Sequence, residues 1–403
     1  MDKKPEALIF GAGALALGFL GPELDKDWAL TFIDVDTKKE LLSHLKDDGR
    51  YTINITGPLQ KTFEITGVHG LNLNSPKDRK EIVQRFSSSN LIFTSVGASN
   101  LNSLVPIFCE GLNFRQDKNI GDIYILCCEN GRDIATKFQS SLETALNMPL
   151  PQEFKILDTV MGRMCRIEPD ISGDKAIKPV HENANWAIVV EPFFGFPIKK
   201  SLIRGENFFS SPFQLKEDGT FNALEDIKFF AHNGCHAFLG YLGSLKGYRY
   251  FGELKADSDL MRLAYEMLFN EVGEALIKAH RTIDRKDYEN YAIDLMRRLT
   301  CPSFNDSIDR ATRKPLEKLS HDERLILGAN FILSQGIQPK IYSLAIGAAL
   351  MACIENKEMS LRDMDDILLT HCKLTSQRDS ELIRLIKDSY SIVKKGQWTM
   401  LSY

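Results

Sequence analysis

The sequence predicts an α/β chain, with an N-terminal Rossmann-type domain on a mainly parallel sheet followed by a mainly α-helical C-terminal domain. Three observations carry this. Near the N-terminus a glycine turn separates a short apolar run from a helical stretch. Apolar runs then alternate with polar or helical segments to about residue 198, and beyond that point apolar residues recur at helical spacing. A chain of 403 residues exceeds one ordinary core, so two domains are expected, 1–198 and 199–403.

The first element is the apolar run from Ala7 to Phe10. It leads into Gly11, Ala12, Gly13, Ala14, Leu15 and Ala16, and a second run from Ala29 to Ile33 ends on Asp34. This order of strand, turn, helix and strand is the dinucleotide fingerprint, with Ala16 at its third small position. Gly11 permits the tight turn and Gly13 lets backbone approach a pyrophosphate. Ala14 and Leu15 open a helix whose positive end favours that charge. Asp34 stands about 20 residues on, where a carboxylate accepts ribose hydroxyls and repels a 2′-phosphate. NAD is therefore the expected cofactor, and Lys38 and Lys39 are the residues that would leave room for NADP.

Further strands are expected from Leu91 to Val96, before Gly97, and from Ile123 to Cys128, before Glu129 and Asn130. Ligands on parallel sheets sit beyond the carboxyl ends of strands, which places Thr94, Val96, Gly97 and Asn130 at a cofactor crevice. Gly97 and Asn130 are also ordinary loop formers. From 158 to 200 the pattern is irregular apart from the strand-like Trp186 to Glu191. Pro192, Gly195 and Pro197 then mark a junction, which sets the boundary near 198. Amphipathic helices follow at 258–280, 287–298, 322–335, 341–354 and 378–394.

Composition narrows the function classes. The 54 acidic and 50 basic residues are spread without long blocks and give a net charge of −4, which argues against nucleic acid or an anionic membrane as the main partner. No apolar run approaches a bilayer span, and the charged start of the chain leads into a strand rather than a secretory h-region. The eight cysteines include no Cys-x-x-Cys and no paired metal spacing. A cytoplasmic protein with reduced thiols, a small-molecule substrate and no metal is expected.

The chemistry-bearing segment lies early in the second domain, where Lys228, Asn233 and His236 put an amine, an amide and an imidazole on one helical stretch. At α-helical winding Asn233 and His236 stand about 60° apart, and Lys228 about 140° from Asn233. Lys228 and His236 are separated by about 12 Å of helical rise, a span suited to an extended ligand with several hydroxyls. The same spacing also arises with a solvated lysine and a histidine satisfied in a core.

Taken together, Phe10-Gly11-Ala12-Gly13, Gly18 to Gly21, Phe32-Ile33-Asp34, Ser95-Val96-Gly97, Cys128-Glu129-Asn130, Lys228…Asn233…His236 and Tyr241-Leu242-Gly243 resemble, in order, the polyol-specific long-chain dehydrogenases of the mannitol dehydrogenase family. The resemblance implies an NAD-dependent, metal-independent enzyme in which Lys228 is the general acid/base. Asn130 and Asn233 would hold the alkoxide-like oxygen, and His236 would orient a substrate hydroxyl. Glu225 resembles an acid that some members use to pass the proton to solvent. Two departures stand out: Ala14-Leu15-Ala16-Leu17 in the glycine-rich turn, and Gly162-Arg163 where the family commonly has Asp-Arg. The segment with Arg310, Arg313 and Lys318 resembles the sugar-phosphate branch, whose cations suit a phosphate; a solvated basic helix start would read the same way. The implied substrates are mannitol 1-phosphate and fructose 6-phosphate. An unphosphorylated polyol, a hexuronate and a non-catalytic dinucleotide sensor are the alternatives.

Overall fold

The structure is a computed structural model that describes residues 4–57, 61–116, 122–173, 176–204, 212–355 and 364–401. It forms two compact units, Met1–Phe221 and Asn222–Tyr403.

In the first unit six strands make one parallel sheet in the order Val68–Asn72, Ala29–Asp34, Glu6–Phe10, Leu91–Thr94, Ile123–Cys127, Phe154–Asp158. Chain order reverses between Glu6–Phe10 and Leu91–Thr94, which makes the crevice beyond their carboxyl ends the ligand position of a doubly wound sheet. Side chains alternate across the sheet. Leu8, Phe10, Ile92 and Ile125 bury on one face with Phe86, Phe108 and Phe138 of the covering helices. Ala7, Ile9, Phe32 and Phe93 bury on the other with Leu17, Phe19 and Phe196. Because both faces are covered, the strands read as continuous apolar runs rather than alternating ones.

A second sheet runs Lys61–Thr66, Arg50–Ile55, Ala187–Val190, Cys165–Glu168, antiparallel except between Arg50–Ile55 and Ala187–Val190. The boundary expected near 198 moves to 221. Pro197–Lys199 pairs in parallel with Gln214–Lys216, and Ile198 bridges Thr159, so the stretch at 192–196 is a loop inside the first unit that leads into a strand at Pro197.

The second unit is helical throughout its described residues apart from loops. The helix expected over 258–280 is Ser258–Glu266, a π-wound section Met267–Gly273, and Glu274–Ala279. The π section turns Glu271 fully inward, where its carboxylate accepts the N–H groups of Ile341 at 2.7 Å and Tyr342 at 2.8 Å. It thereby caps the helix Tyr342–Glu355, whose first N–H groups have no partner within the helix. No described helix is long and apolar enough to cross a membrane.

Candidate active site

The glycine turn adopts the geometry its residues predict. Gly11 has φ +110°, and a Cβ there would lie 2.3 Å from the Ser95 carbonyl oxygen, so only glycine lets the two strand ends approach. Its N–H reaches the Ile33 oxygen at 2.7 Å. Nothing lies within 4 Å of a Cβ built on Gly13, which leaves backbone open to a ligand. The first bond of the following helix is Leu17 N–H to Gly13 O at 3.0 Å, so the N–H groups of Gly13, Ala14 and Leu15 stand at its head. Asp34 closes the turn: its Oδ2 accepts the Ala12 N–H at 2.7 Å and its Oδ1 the Val35 N–H at 2.8 Å. A carboxylate oxygen takes more than one donor, so this anchored group can still receive ribose hydroxyls. Lys38 lies over the Trp186 ring, 5.4 Å from its centroid, with its charge engaged there.

Thr94 differs from expectation. Its side chain is buried and its hydroxyl donates to Glu129 Oε2 at 2.7 Å, so it positions rather than faces a ligand. Glu129, to which the sequence reading gave no role, also accepts the Val96 N–H at 3.0 Å through its other oxygen. Burial raises its pKa, and the Thr94 and Val96 bonds oppose that shift. One carboxylate thus ties the ends of two neighbouring strands together and sets the 95–97 loop, in which Gly97 has φ +87°. The family departure at Gly162 also has a local reason, because a Cβ there would lie 2.6 Å from the Phe193 ring. Arg163 is buried and holds Glu23 at 3.0 Å and the carbonyls of Phe193 at 2.8 Å and Gly18 at 3.3 Å, which makes it a clamp on the helix after the glycine turn.

In the second unit Lys228 and Asn233 lie in a π-wound section, Ile227–Asn233, between the helices Asp218–Asp226 and Gly234–Leu245. This corrects the α-helical placement. A π turn closes over five residues, so Lys228 and Asn233, five apart, come closer to one face than the about 140° of α winding. Phe230 fixes the section by stacking on Phe331, with centroids 4.3 Å apart. Asn233 is buried, and Lys228 and Glu225 are both half-buried. Burial, and then the charge of Lys228, hold His232 well below the ordinary imidazole range, so it stays neutral beside the amine. Just ahead of the section Asp226 bonds His280 Nε2 at 2.7 Å.

His236 lies flat on the Phe251 ring, with centroids 4.6 Å apart and planes within 3°, and its Nε2 is 3.1 Å from Asp306 Oδ2. Asp306 is a second residue that the sequence reading missed. Arg310, expected to reach a substrate, instead donates to both of its oxygens, Nε to Oδ1 at 2.7 Å and a terminal nitrogen to Oδ2 at 2.5 Å. Burial brings the His236 pKa down to about 4 against the pull of Asp306. Burial also works against the Asp306 carboxylate, yet its bonds to His236 and Arg310 hold it far below the ordinary range. Lys318 is half-buried and donates to the Ala311 carbonyl; burial and then Arg324, Arg313 and Arg310 bring its pKa down to about 8. Arg313 is exposed. Arg324, to which the sequence reading gave no role, is the largest of the three guanidinium charges that act on Lys318.

The chain matches two family profiles, the mannitol dehydrogenase Rossmann domain over residues 5–208 and the mannitol dehydrogenase C-terminal domain over 221–391. It is 29% identical over 355 residues to a mannitol-1-phosphate 5-dehydrogenase of Caldanaerobacter subterraneus subsp. tengcongensis, covering 86% of each chain. It is 24% identical to one of Shouchella clausii, covering 94% of this chain and 99% of the relative. Among solved structures, mannitol 2-dehydrogenase of Pseudomonas fluorescens in complex with NAD and D-mannitol shares the fold at a TM-score of 0.76 and 14% identity, over 99% of this chain and 94% of that one. A substrate-free D-sorbitol dehydrogenase does so at 0.73 and 15%, over 98% and 94%. The chain belongs to the mannitol dehydrogenase family.

Proposed function

We propose that this protein is an NAD-dependent oxidoreductase that moves hydride between a polyol phosphate and the corresponding ketose phosphate, mannitol 1-phosphate and fructose 6-phosphate. The observation that carries the reading is the π-wound section Ile227–Asn233, which brings an amine and an amide toward one face with His236 in the next turn. The curated relatives named above are mannitol-1-phosphate 5-dehydrogenases, and the P. fluorescens structure holds NAD and a polyol.

The residues of the first unit fit NAD. Gly13 leaves room for a pyrophosphate, which the N–H groups of Gly13, Ala14 and Leu15 would hold, and Asp34 would receive the ribose hydroxyls with Val96 and Gly97 bordering the crevice. When bound, the nicotinamide supplies or accepts the hydride. In the oxidation direction Lys228, as the free amine, takes the proton of the reacting hydroxyl, and it returns that proton to the carbonyl oxygen in reduction. Asn233, on the same section as Lys228, donates its amide N–H to this oxygen, which carries most charge midway, so the bond strengthens as the reaction proceeds. His236 receives a neighbouring substrate hydroxyl. Glu225 passes the proton between Lys228 and solvent.

The phosphate is assigned to Lys318 with Arg313 and Arg324. Lys318 is an ammonium crowded by other cations, a position that a dianion relieves. The engagement of Arg310 with Asp306 is the one observation that favours an unphosphorylated polyol. A panel of phosphorylated and free polyols and ketoses, followed by NADH absorbance, tests the proposal. Turnover of mannitol 1-phosphate and fructose 6-phosphate far above that of their free counterparts is expected. Equal or better turnover of the free sugars would overturn the phosphate assignment.

A further inference from the structure

His236 can serve a substrate hydroxyl in two opposite ways. With Nδ1 bare it accepts a hydrogen bond, and with Nδ1 protonated it donates one. The surroundings of the ring decide between them. Its plane is set by the flat stack on Phe251. Rotation within that plane is set by Asp306, which is buried and fixed at three points. Its backbone oxygen accepts the Phe251 N–H at 2.9 Å, the next residue Ser307 pairs with Tyr250, and the Ile308 N–H reaches the Arg249 oxygen at 2.9 Å. The residue that stacks on the imidazole and the residue that bonds its edge therefore belong to two segments pinned to each other through an isolated β-bridge.

Three side-chain nitrogens converge on the Asp306 carboxylate: two of Arg310, which donate, and Nε2 of His236. Arg310 carries no acceptor and stays charged, so Asp306 stays ionised beside it. An ionised carboxylate only accepts, so the His236 nitrogen facing it must carry a proton, while burial of the ring and the Arg310 charge that already balances the carboxylate keep a second proton off Nδ1.

We propose that Asp306 is a positioning residue, which with Arg310 locks His236 as the neutral Nε2–H tautomer and so leaves Nδ1 as a fixed acceptor for one substrate hydroxyl. The role of this acceptor rests on the proposed function, whereas the tautomer does not. A hydroxyl that donates to Nδ1 keeps its lone pairs free, so the site recognises a polyol by its O–H and discriminates against a keto or methoxy group at that carbon. Arg310 belongs to this lock rather than to the phosphate, since its bidentate bond is what keeps the carboxylate ionised while it is buried.

The test is nitrogen NMR of the wild-type enzyme labelled with ¹⁵N-histidine, free of cofactor, at neutral pH, with the His236 signal assigned by its loss in His236→Gln. A pyrrole-type Nε2 and a pyridine-type Nδ1 are expected. An Nδ1–H tautomer or an imidazolium would overturn the proposal. A second arm uses Asp306→Asn, whose amide cannot accept from all three donors. The single tautomer should be lost and KM for the sugar substrate should rise by about ten- to a hundredfold, with NADH binding unchanged. A wild-type KM in a variant that has lost the tautomer would overturn the substrate role of Nδ1. Absence of turnover on any polyol by the wild type, with the tautomer as expected, would instead overturn the proposed function and leave the lock standing.

Discussion

The two units reach polar precision by opposite routes. In the first, the groups that matter sit at strand ends, and backbone does most of the work: a glycine turn, the head of a helix, and Asp34 bonded to two main-chain N–H groups. In the second, single buried carboxylates reach across long stretches of sequence. Asp306 gathers His236 from 70 residues away together with Arg310, and Glu271 reaches 70 residues to cap a helix at Ile341. A backbone-built site repeats wherever the local sequence repeats. A side-chain-built site is specific to one packing and fails when a single member is removed.

This contrast predicts that substitutions separate cleanly. The largest effect is expected for Lys228→Ala, which should lower kcat by about a hundred- to ten-thousandfold while NADH titrates as in the wild type. Turnover within tenfold of wild type would remove Lys228 from proton transfer. Next is Lys318→Ala, expected to cost about ten- to a hundredfold in affinity for the phosphorylated substrate and much less for the free polyol; Arg313→Ala should do the same more weakly, because it is exposed. Equal losses on both substrates would make the segment structural. In the first unit Asp34→Ala should narrow the preference for NAD over NADP by about tenfold, without altering the pH dependence of kcat. An unchanged cofactor ratio would count against Asp34 as the ribose acceptor.

The smallest effect concerns pH and stability. Burial pushes the Glu271 carboxyl up to about 7, against its bonds to the Ile341 and Tyr342 N–H groups. A carboxyl with a raised folded-state pKa binds more protons folded than unfolded. Its contribution to stability is therefore complete below the ordinary carboxyl range and is lost as pH rises toward about 7. Glu271→Gln should remove that slope, which urea unfolding of both proteins from pH 5 to 8 would reveal. Parallel stability curves would contradict this account of Glu271.

Legibility in the sequence follows the same division. The strands flanking the glycine turn, the acid that ends Ala29–Asp34 and the five later helices could be read because each depends on contiguous residues and one period. Arg50–Ile55 went unread although Tyr51 and Ile53 bury, since Asn54 between the strand's apolar positions is buried too, bonded to the Lys178 and Ile188 carbonyls. The boundary at 198 was misplaced because Pro and Gly mark a turn without saying which unit owns it. The π winding at Ile227–Asn233 has no signature in composition, so the angle between Lys228 and Asn233 could not be read. Glu129 and Asp306 were passed over for one reason: a buried carboxylate is indistinguishable by residue type from a solvated one until its donors are known. Glu129 had a usable signal, an acid directly after a wholly apolar strand. Asp306 had only its distance of four residues from Arg310, a spacing common on exposed helices.

We propose that hydride passes directly between the nicotinamide and one carbon of a sugar phosphate. It is tested most directly with NADH deuterated at the transferring position of C4 and fructose 6-phosphate, with the product examined by proton NMR and mass spectrometry. Mannitol 1-phosphate carrying one deuterium, at the former carbonyl carbon and nowhere else, is expected, together with a Lys228→Ala enzyme that binds the same NADH but forms this product at least about a hundredfold more slowly. Consumption of NADH without deuterium in the sugar, or no reaction with a sugar phosphate that the enzyme binds, would contradict it.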